Sequence, residues 1–179
     1  MFGKFNLDKY KQMKPPSDNS FETMQEIKQI NAIPMDRSSV KKLDNIGKTF
    51  HEIGLKNNVD IDMKLVNKLI DKSTGPIKEL KKYFNRPRPK VMARKINIKM
   101  KDYELPSMNT ASYPSGHSVQ GILISKVLAD KYPKLAKKFL TAGKNISDSR
   151  RVAKAHYKSD SKLGELIGED MYQFIKNKV

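Results

Sequence analysis

The chain contains no cysteine, which excludes disulfides, thiolate catalysis and cysteine-ligated zinc. Histidine is scarce as well. The three present, His51, His117 and His156, are too few for a histidine-rich metal site, although carboxylate ligands remain available. Long apolar runs are also missing: the longest, GILI at 121–124, falls far short of the roughly 20 residues that cross a bilayer. The N-terminus, MFGKFNLDKYKQMK, lacks the apolar core of a secretory signal, so the expectation is a soluble protein kept in a cytoplasm. Acidic residues are in deficit, 19 against 36 basic ones, for a net charge of +17. Such an excess concentrates anionic partners, whether nucleic acid, lipid headgroups or phosphorylated metabolites, and charge alone does not choose among them.

The 179 residues, 37% hydrophobic and 31% charged, suffice for one domain with a real core and are too few to expect two. Residues 1–36 are polar, and Pro15-Pro16, Asp18-Asn19-Ser20 and Pro34 break any pattern. They are read as a poorly defined arm with one short helix near 21–31. From residue 37 to 179 the pattern is helical. Val40, Leu43, Ile46, Phe50 and Ile53 recur at three- and four-residue steps, the spacing of one buried stripe. Asp60 is placed to cap a second helix through Ile61, Leu65 and Leu69, and Gly75-Pro76 to start a third that Pro87 and Pro89 stop. Residues 87–114 read as a loop, with INIKM at 96–100 as a short strand at most. Helical spacing returns at 118–132, after Pro133 with Leu135, Phe139 and Leu140, and again from Leu163 to Ile175. The expected fold is an all-α, single-domain bundle.

Three segments stand apart. In YPSGHS, 113–118, Pro114 and Gly116 fix a turn that opens a helix. A helix N-terminus offers free N–H groups and the positive end of the dipole to an anion, and Ser115 and His117 sit beside it. An ordinary serine-capped helix explains the same residues. In SRRVAKAHYKSD, 149–160, His156 and Asp160 are four apart. An aspartate bonded to one ring nitrogen leaves the other with a free lone pair. A solvated basic helix is the competing account, and for Arg150 to reach the same place as His156 the chain must bend between them. KKYFNRPRP, 81–89, gathers Lys81, Arg86 and Arg88 at a helix end. Arginine suits bidentate phosphate contacts and lysine a point charge, but a nucleic-acid or solvent face is the commoner use.

Together the segments read Lys81-x6-Arg88-Pro89, Pro114-Ser115-Gly116-His117 and Ser149-Arg150-x5-His156-x3-Asp160. This order resembles the tripartite signature of the type 2 phosphatidic acid phosphatase superfamily, which includes class A non-specific acid phosphatases and vanadium haloperoxidases. The resemblance spans roughly residues 77–170 and makes residues 37–179 a helical phosphatase domain. It implies a bundle with the site at one end of its central helices. It also implies His156 as nucleophile, Asp160 as its orienting partner and His117 as the acid for the leaving alcohol. Lys81, Arg88, Ser115, Gly116 and Arg150 would hold the phosphoryl oxygens. No metal or other cofactor is implied, with vanadate as a phosphate mimic, and an acidic-to-neutral optimum follows from the opposite proton states of the two histidines. The partner would be a small phosphorylated substrate, nucleotides included; association of copies of the chain stays open. The alternatives are a vanadate-dependent haloperoxidase and a basic nucleic-acid-binding protein on a degenerate phosphatase fold. Two departures from the family pattern, Arg151 after the motif arginine and Lys154 where many relatives have a small residue, are expected to add charge beside the site. His51 matches nothing in the signature and is read as structural.

Overall fold

The computed structural model describes residues 1–178, and every regular element among them is helical. In chain order the helices are α1 (Asp8–Lys11), α2 (Phe21–Ala32), α3 (Arg37–Asp44), α4 (Ile46–Leu55), α5 (Met63–Phe84), α6 (Pro89–Lys95), α7 (Gly116–Lys131), α8 (Ala136–Val152) and α9 (Lys158–Ile175). Short 3-10 turns lie at Pro106–Asn109 and Pro133–Leu135. No described helix is long and apolar enough to cross a membrane.

Helix α7 is the axis of the bundle. Ser118, Val119, Leu123, Ile124, Val127 and Leu128 are all buried, spread around the cylinder rather than along one stripe, as expected of a helix enclosed by others. It packs most extensively against α8 and α9, and also against α5. Glycine permits this closeness. A Cβ on Gly164 would stand 2.6 Å from Ser115 O, and one on Gly168 2.5 Å from Val119 O. Both clashes are with α7 backbone, which cannot yield cheaply. The N-terminus of α7, where the YPSGHS turn lies, is therefore clamped to the start of α9.

Several boundaries differ from the sequence reading, each for a local reason. The stripe from Val40 to Ile53 is two helices, broken at Asn45, whose side chain caps α4 by accepting from Lys48 N at 2.9 Å. The helices expected on either side of Gly75-Pro76 are one, α5, with Pro76 inside it. In the turn before the proline, Ile70 O accepts from Thr74 Oγ1 at 2.7 Å, Ser73 Oγ at 3.0 Å and Gln120 Nε2 at 3.1 Å. Side chains thus supply bonds in the stretch where a proline weakens the backbone ladder. Asp62, not Asp60, caps α5, accepting from Leu65 N at 2.9 Å. The presumed loop at 87–114 contains α6, which opens on Pro89 at its first turn. No strand forms at 96–100. Leu140 and Leu166, placed on buried stripes by spacing, are 42% and 40% exposed.

The N-terminal residues read as a loose arm are packed. Tyr10 is fully buried in the main core, and Ile27 and Ile30 of α2 share a second cluster with Met92, Met100 and Tyr157. The polar face of α2 hid this, because its buried apolar residues are few and much of its packing is made through polar and charged side chains.

Candidate active site

The three motif segments meet at one end of the bundle. Helix α5 ends at Phe84 with Asn85 in the left-handed region (φ 46°), and the two prolines that follow hold the chain extended. Lys81, on the last turn, donates through Nζ to Ala111 O. Arg88 is held by Thr110 O at 2.9 Å from Nε and by Ala155 O at 2.8 Å from Nη1. Its Nη1 also lies 2.9 Å from His156 Nε2.

His156 is not on a helix. Helix α8 carries Arg150 and ends at Val152; the chain then unwinds through Lys154 (φ 59°) before α9 begins at Lys158. This is the bend that a shared site for Arg150 and His156 requires. Asp160, on the first turn of α9, accepts from His156 Nδ1 at 3.0 Å and from Tyr157 N at 3.1 Å. Ser112 Oγ donates to the same carboxylate oxygen, and Arg86 Nη1 to the other at 2.7 Å. An arginine can only donate, so Nε2 of His156 accepts and its proton sits on Nδ1, facing Asp160. Burial, reinforced by the Arg88 charge, pushes the imidazole well below its usual range. Burial works against the Asp160 carboxylate, but the bond from His156 and the charge of Arg86 bring its pKa below the ordinary value. The pair is a neutral imidazole on an ionised aspartate.

Around it lie the cations. Burial, with Arg88 nearby, pushes Lys81 down to about 7, and burial lowers Arg88 to about 10. Arg150 is 1% exposed; its Nη1 donates to Asp44 Oδ1 at 2.8 Å and its Nε to Ser149 Oγ at 3.1 Å. Its Nη2 is buried with no partner among the described residues. A buried donor left unpaired is costly, which makes it a natural place for an anionic oxygen.

The YPSGHS turn, with a cis Tyr113–Pro114 peptide, closes the site. Ser115 caps α7, accepting from Ser118 N at 3.3 Å, and its own N–H is used by Asp160 O at 3.0 Å. Gly116 opens the helix, where backbone N–H groups have no intrahelical acceptor. His117 Nε2 lies 2.9 Å from Asp44 O and 3.3 Å from Asp44 Oδ1. A carbonyl can only accept, so this nitrogen carries a proton.

Every residue of the expected site thus lies at this end, and four from outside that set join them. Asp44 is brought in by the break at Asn45; a capping Asn-Ile-Gly-Lys inside an apolar stripe was the available signal. Arg86 stood in the KKYFNRPRP segment but outside the phosphate-binding set; it is 2% exposed, and its guanidinium stacks 3.7 Å from the Tyr157 ring. Ser112 and Glu26 had no signal. The expectation that Arg151 and Lys154 place charge beside the site is corrected. Arg151 bonds Asp148 at 2.5 Å, and Lys154, buried, donates to Ile30 O and Ile33 O at the end of α2. The left-handed backbone at Lys154 explains why a small residue would suit that position. His51 lies partly buried on α4.

Two basic clefts flank the site. One, of about 190 Å³, is lined by Lys78, Lys81, Lys82, Asn85, Thr110 and Ala111. The other, of about 430 Å³, is lined by residues including Lys41, Lys42 and Lys48 beside Asp44. A larger cavity of about 620 Å³, bordered by Ile53, Lys137 and Ala142, contains none of the site residues. No group of three or more metal-type side chains gathers among the described residues.

Over 88 residues the chain is 34% identical to the non-specific acid phosphatase of Salmonella typhimurium and 33% identical to that of Salmonella typhi. The match covers 49% of this chain and 35% of each of those proteins, so the chain spans about a third of the length of the curated relatives it matches. The family model of the PAP2 superfamily matches residues 66–175, a stretch running from α5 to the end of α9 and carrying all three motif segments. By that match, on an all-helical bundle with the motifs gathered at one end, the chain belongs to the PAP2 superfamily.

Proposed function

We propose that the protein is a metal-independent phosphatase that hydrolyses soluble phosphomonoesters through a phosphohistidine. The observation that carries this reading is the state of His156: Nδ1 is tied to Asp160, and the Nε2 lone pair accepts from Arg88 Nη1 with the Lys81 charge nearby. An incoming phosphate draws Arg88 from Nε2 onto its own oxygens. The Nε2 lone pair then attacks phosphorus in line, forming the N–P bond as the P–O bond to the alcohol breaks. His117 gives its Nε2 proton to the departing alkoxide. Water next attacks phosphorus and yields a proton to His117, the N–P bond breaks, and inorganic phosphate leaves with His156 restored.

The transferred group carries negative charge spread over three oxygens, which the cations, the Arg150 Nη2 donor, the Ser115 hydroxyl and the Gly116 N–H are suited to hold. Arg88, Arg150 and, below its pKa of about 7, Lys81 supply the charge that a metal would otherwise bring. The lysine-lined clefts favour anionic esters, nucleotides among them. The Salmonella relatives are named acid phosphatases, which supports phosphate-ester hydrolysis as the reaction.

Hydrolysis of an aryl phosphate ester in EDTA tests the proposal. Wild-type protein should turn over and acquire an acid-labile label from a ³²P substrate, and His156→Ala should do neither. Undiminished turnover in His156→Ala would sink the phosphohistidine route; activity that requires added divalent metal would sink metal independence.

A further inference from the structure

Glu26 belongs to α2, forty residues before the stretch that matches the superfamily begins at 66. Its carboxylate nevertheless reaches the start of α9. Oε1 accepts from Ser159 N at 2.6 Å, and Oε2 accepts from Ser159 Oγ at 2.7 Å and from Arg86 Nη2 at 3.2 Å. Ser159 N is among the free N–H groups of the α9 N-terminus, so an acid from another helix caps it, with the favourable sign for the helix dipole. Arg86 then stands between two carboxylates. Its Nη2 faces Glu26 and its Nη1 faces Asp160 Oδ1 at 2.7 Å, while Asp160 Oδ2 holds His156 Nδ1 at 3.0 Å. The arginine and aspartate side chains are 1% and 0% exposed, and Glu26 is 13% exposed. Charges so buried interact strongly and are costly to leave unpaired.

A second contact ties the same two parts from the other side of the nucleophile. Lys154, two residues before His156, donates its ammonium to Ile30 O and Ile33 O, closing the C-terminal end of α2. Helix α2 therefore grips the chain on both flanks of His156, through Lys154 before it and Ser159 after it. An element whose only task was to cover the core would need Ile27 and Ile30, not an ion pair to Arg86 and carbonyls bonded to a buried ammonium.

We infer that Glu26 is a positioning residue for His156, acting through Arg86 and Asp160, and that α2 is a strap that holds the nucleophile's turn in register with the phosphate cradle. This rests on the proposed role of His156 but can be tested apart from it. Without the Glu26 charge, Asp160 is the one carboxylate left to Arg86, whose other bonds go to the hydroxyls of Ser159 and Thr23. The aspartate then accepts more weakly from Nδ1, and the imidazole is less firmly held.

The test uses the full chain with Glu26→Gln, Lys154→Gly, and Glu22→Gln on the exposed side of α2 as control. Two quantities are read: kcat and KM on an aryl phosphate, and the downfield Nδ1 proton of His156 in ¹⁵N-histidine-labelled protein. Glu26→Gln should lower kcat about tenfold or more with KM nearly unchanged, the usual scale for losing an outer-shell partner. It should also shift or broaden the His156 proton signal. Lys154→Gly, which its left-handed backbone accommodates, should move the same signal and speed amide exchange in residues 21–33. Glu22→Gln should change nothing. If Glu26→Gln leaves the Nδ1 signal as in wild type, or if Glu22→Gln loses as much, Glu26 has no positioning role, whatever happens to thermal stability. Should wild-type protein hydrolyse no phosphate ester, the phosphatase reading fails, and the proton signal still decides the case for Glu26.

Discussion

Arg88 Nη1 lies 2.9 Å from His156 Nε2, so the atom proposed to attack phosphorus is covered by a side chain proposed to bind it. Substrate must move one to expose the other. The coupling makes occupation of the cradle and unmasking of the nucleophile a single event. It also fixes the tautomer in the resting protein, because a guanidinium donor and an Asp160 acceptor leave only one position for the ring proton.

Asp160→Asn should lower kcat by about 10⁴-fold, the scale of the same replacement in a serine–histidine–aspartate triad. The amide leaves Arg86 with one buried carboxylate instead of two. Breaking such a pair by removing one partner costs about 3–5 kcal/mol, so urea unfolding should show a lower midpoint along with the lost turnover. A variant as active and as stable as wild type would contradict the arrangement.

Anion affinity should depend on the Lys81 proton. With its folded-state pKa at about 7, the ammonium is present below that value and lost as pH rises through it. His156, with its pKa pushed down, stays neutral across the same window. Sulfate, which does not titrate there, should bind more tightly at pH 5.5 than at pH 8.5 by calorimetry, by about tenfold for one charge-assisted contact. Lys81→Arg should flatten the profile. A flat wild-type profile would count against the cradle.

Asp44→Asn should separate binding from turnover. Asp44 accepts from Arg150 at 2.8 Å and meets His117 at 3.3 Å, so its charge competes with an incoming anion while it steadies the proposed acid. Removing the charge should tighten sulfate binding by up to about tenfold. It should also reduce kcat, since a neutral amide oxygen accepts from His117 Nε2 more weakly than the carboxylate does. Weaker sulfate binding would show that Asp44 supports Arg150 rather than competing for it.

Gly164→Ala and Gly168→Ala should each destabilise the fold by about 1–3 kcal/mol, because each Cβ meets α7 backbone within 2.6 Å. Their effects on activity should differ. The carbonyl that Gly164 abuts is that of Ser115, in the turn that also carries Gly116 and His117, whereas Gly168 abuts Val119 one turn farther along. Thermal melts beside kcat values would resolve the two, with the larger catalytic loss in Gly164→Ala.

The sequence by itself determined the all-helical class, most of the apolar residues that α5, α7 and α9 bury, and the order of the motif side chains. These follow from short-range spacing and from the chemistry that a phosphate demands. It also implied the bend between Arg150 and His156, since no straight helix presents both to one place. Tertiary structure alone decided which charges are partners. Asp44 enters because a helix breaks at Asn45, and Glu26 because α2, packed beside α6, reaches the first turn of α9. Arg86, outside the cradle, serves Asp160, and Lys154 turns from the site to close α2. In each case the partners lie far apart in the chain, and a single charged residue carries no periodicity to announce where it will be buried. What selects the pairing is the cost of leaving a charge unmatched in the interior, a quantity that exists only once the helices have packed.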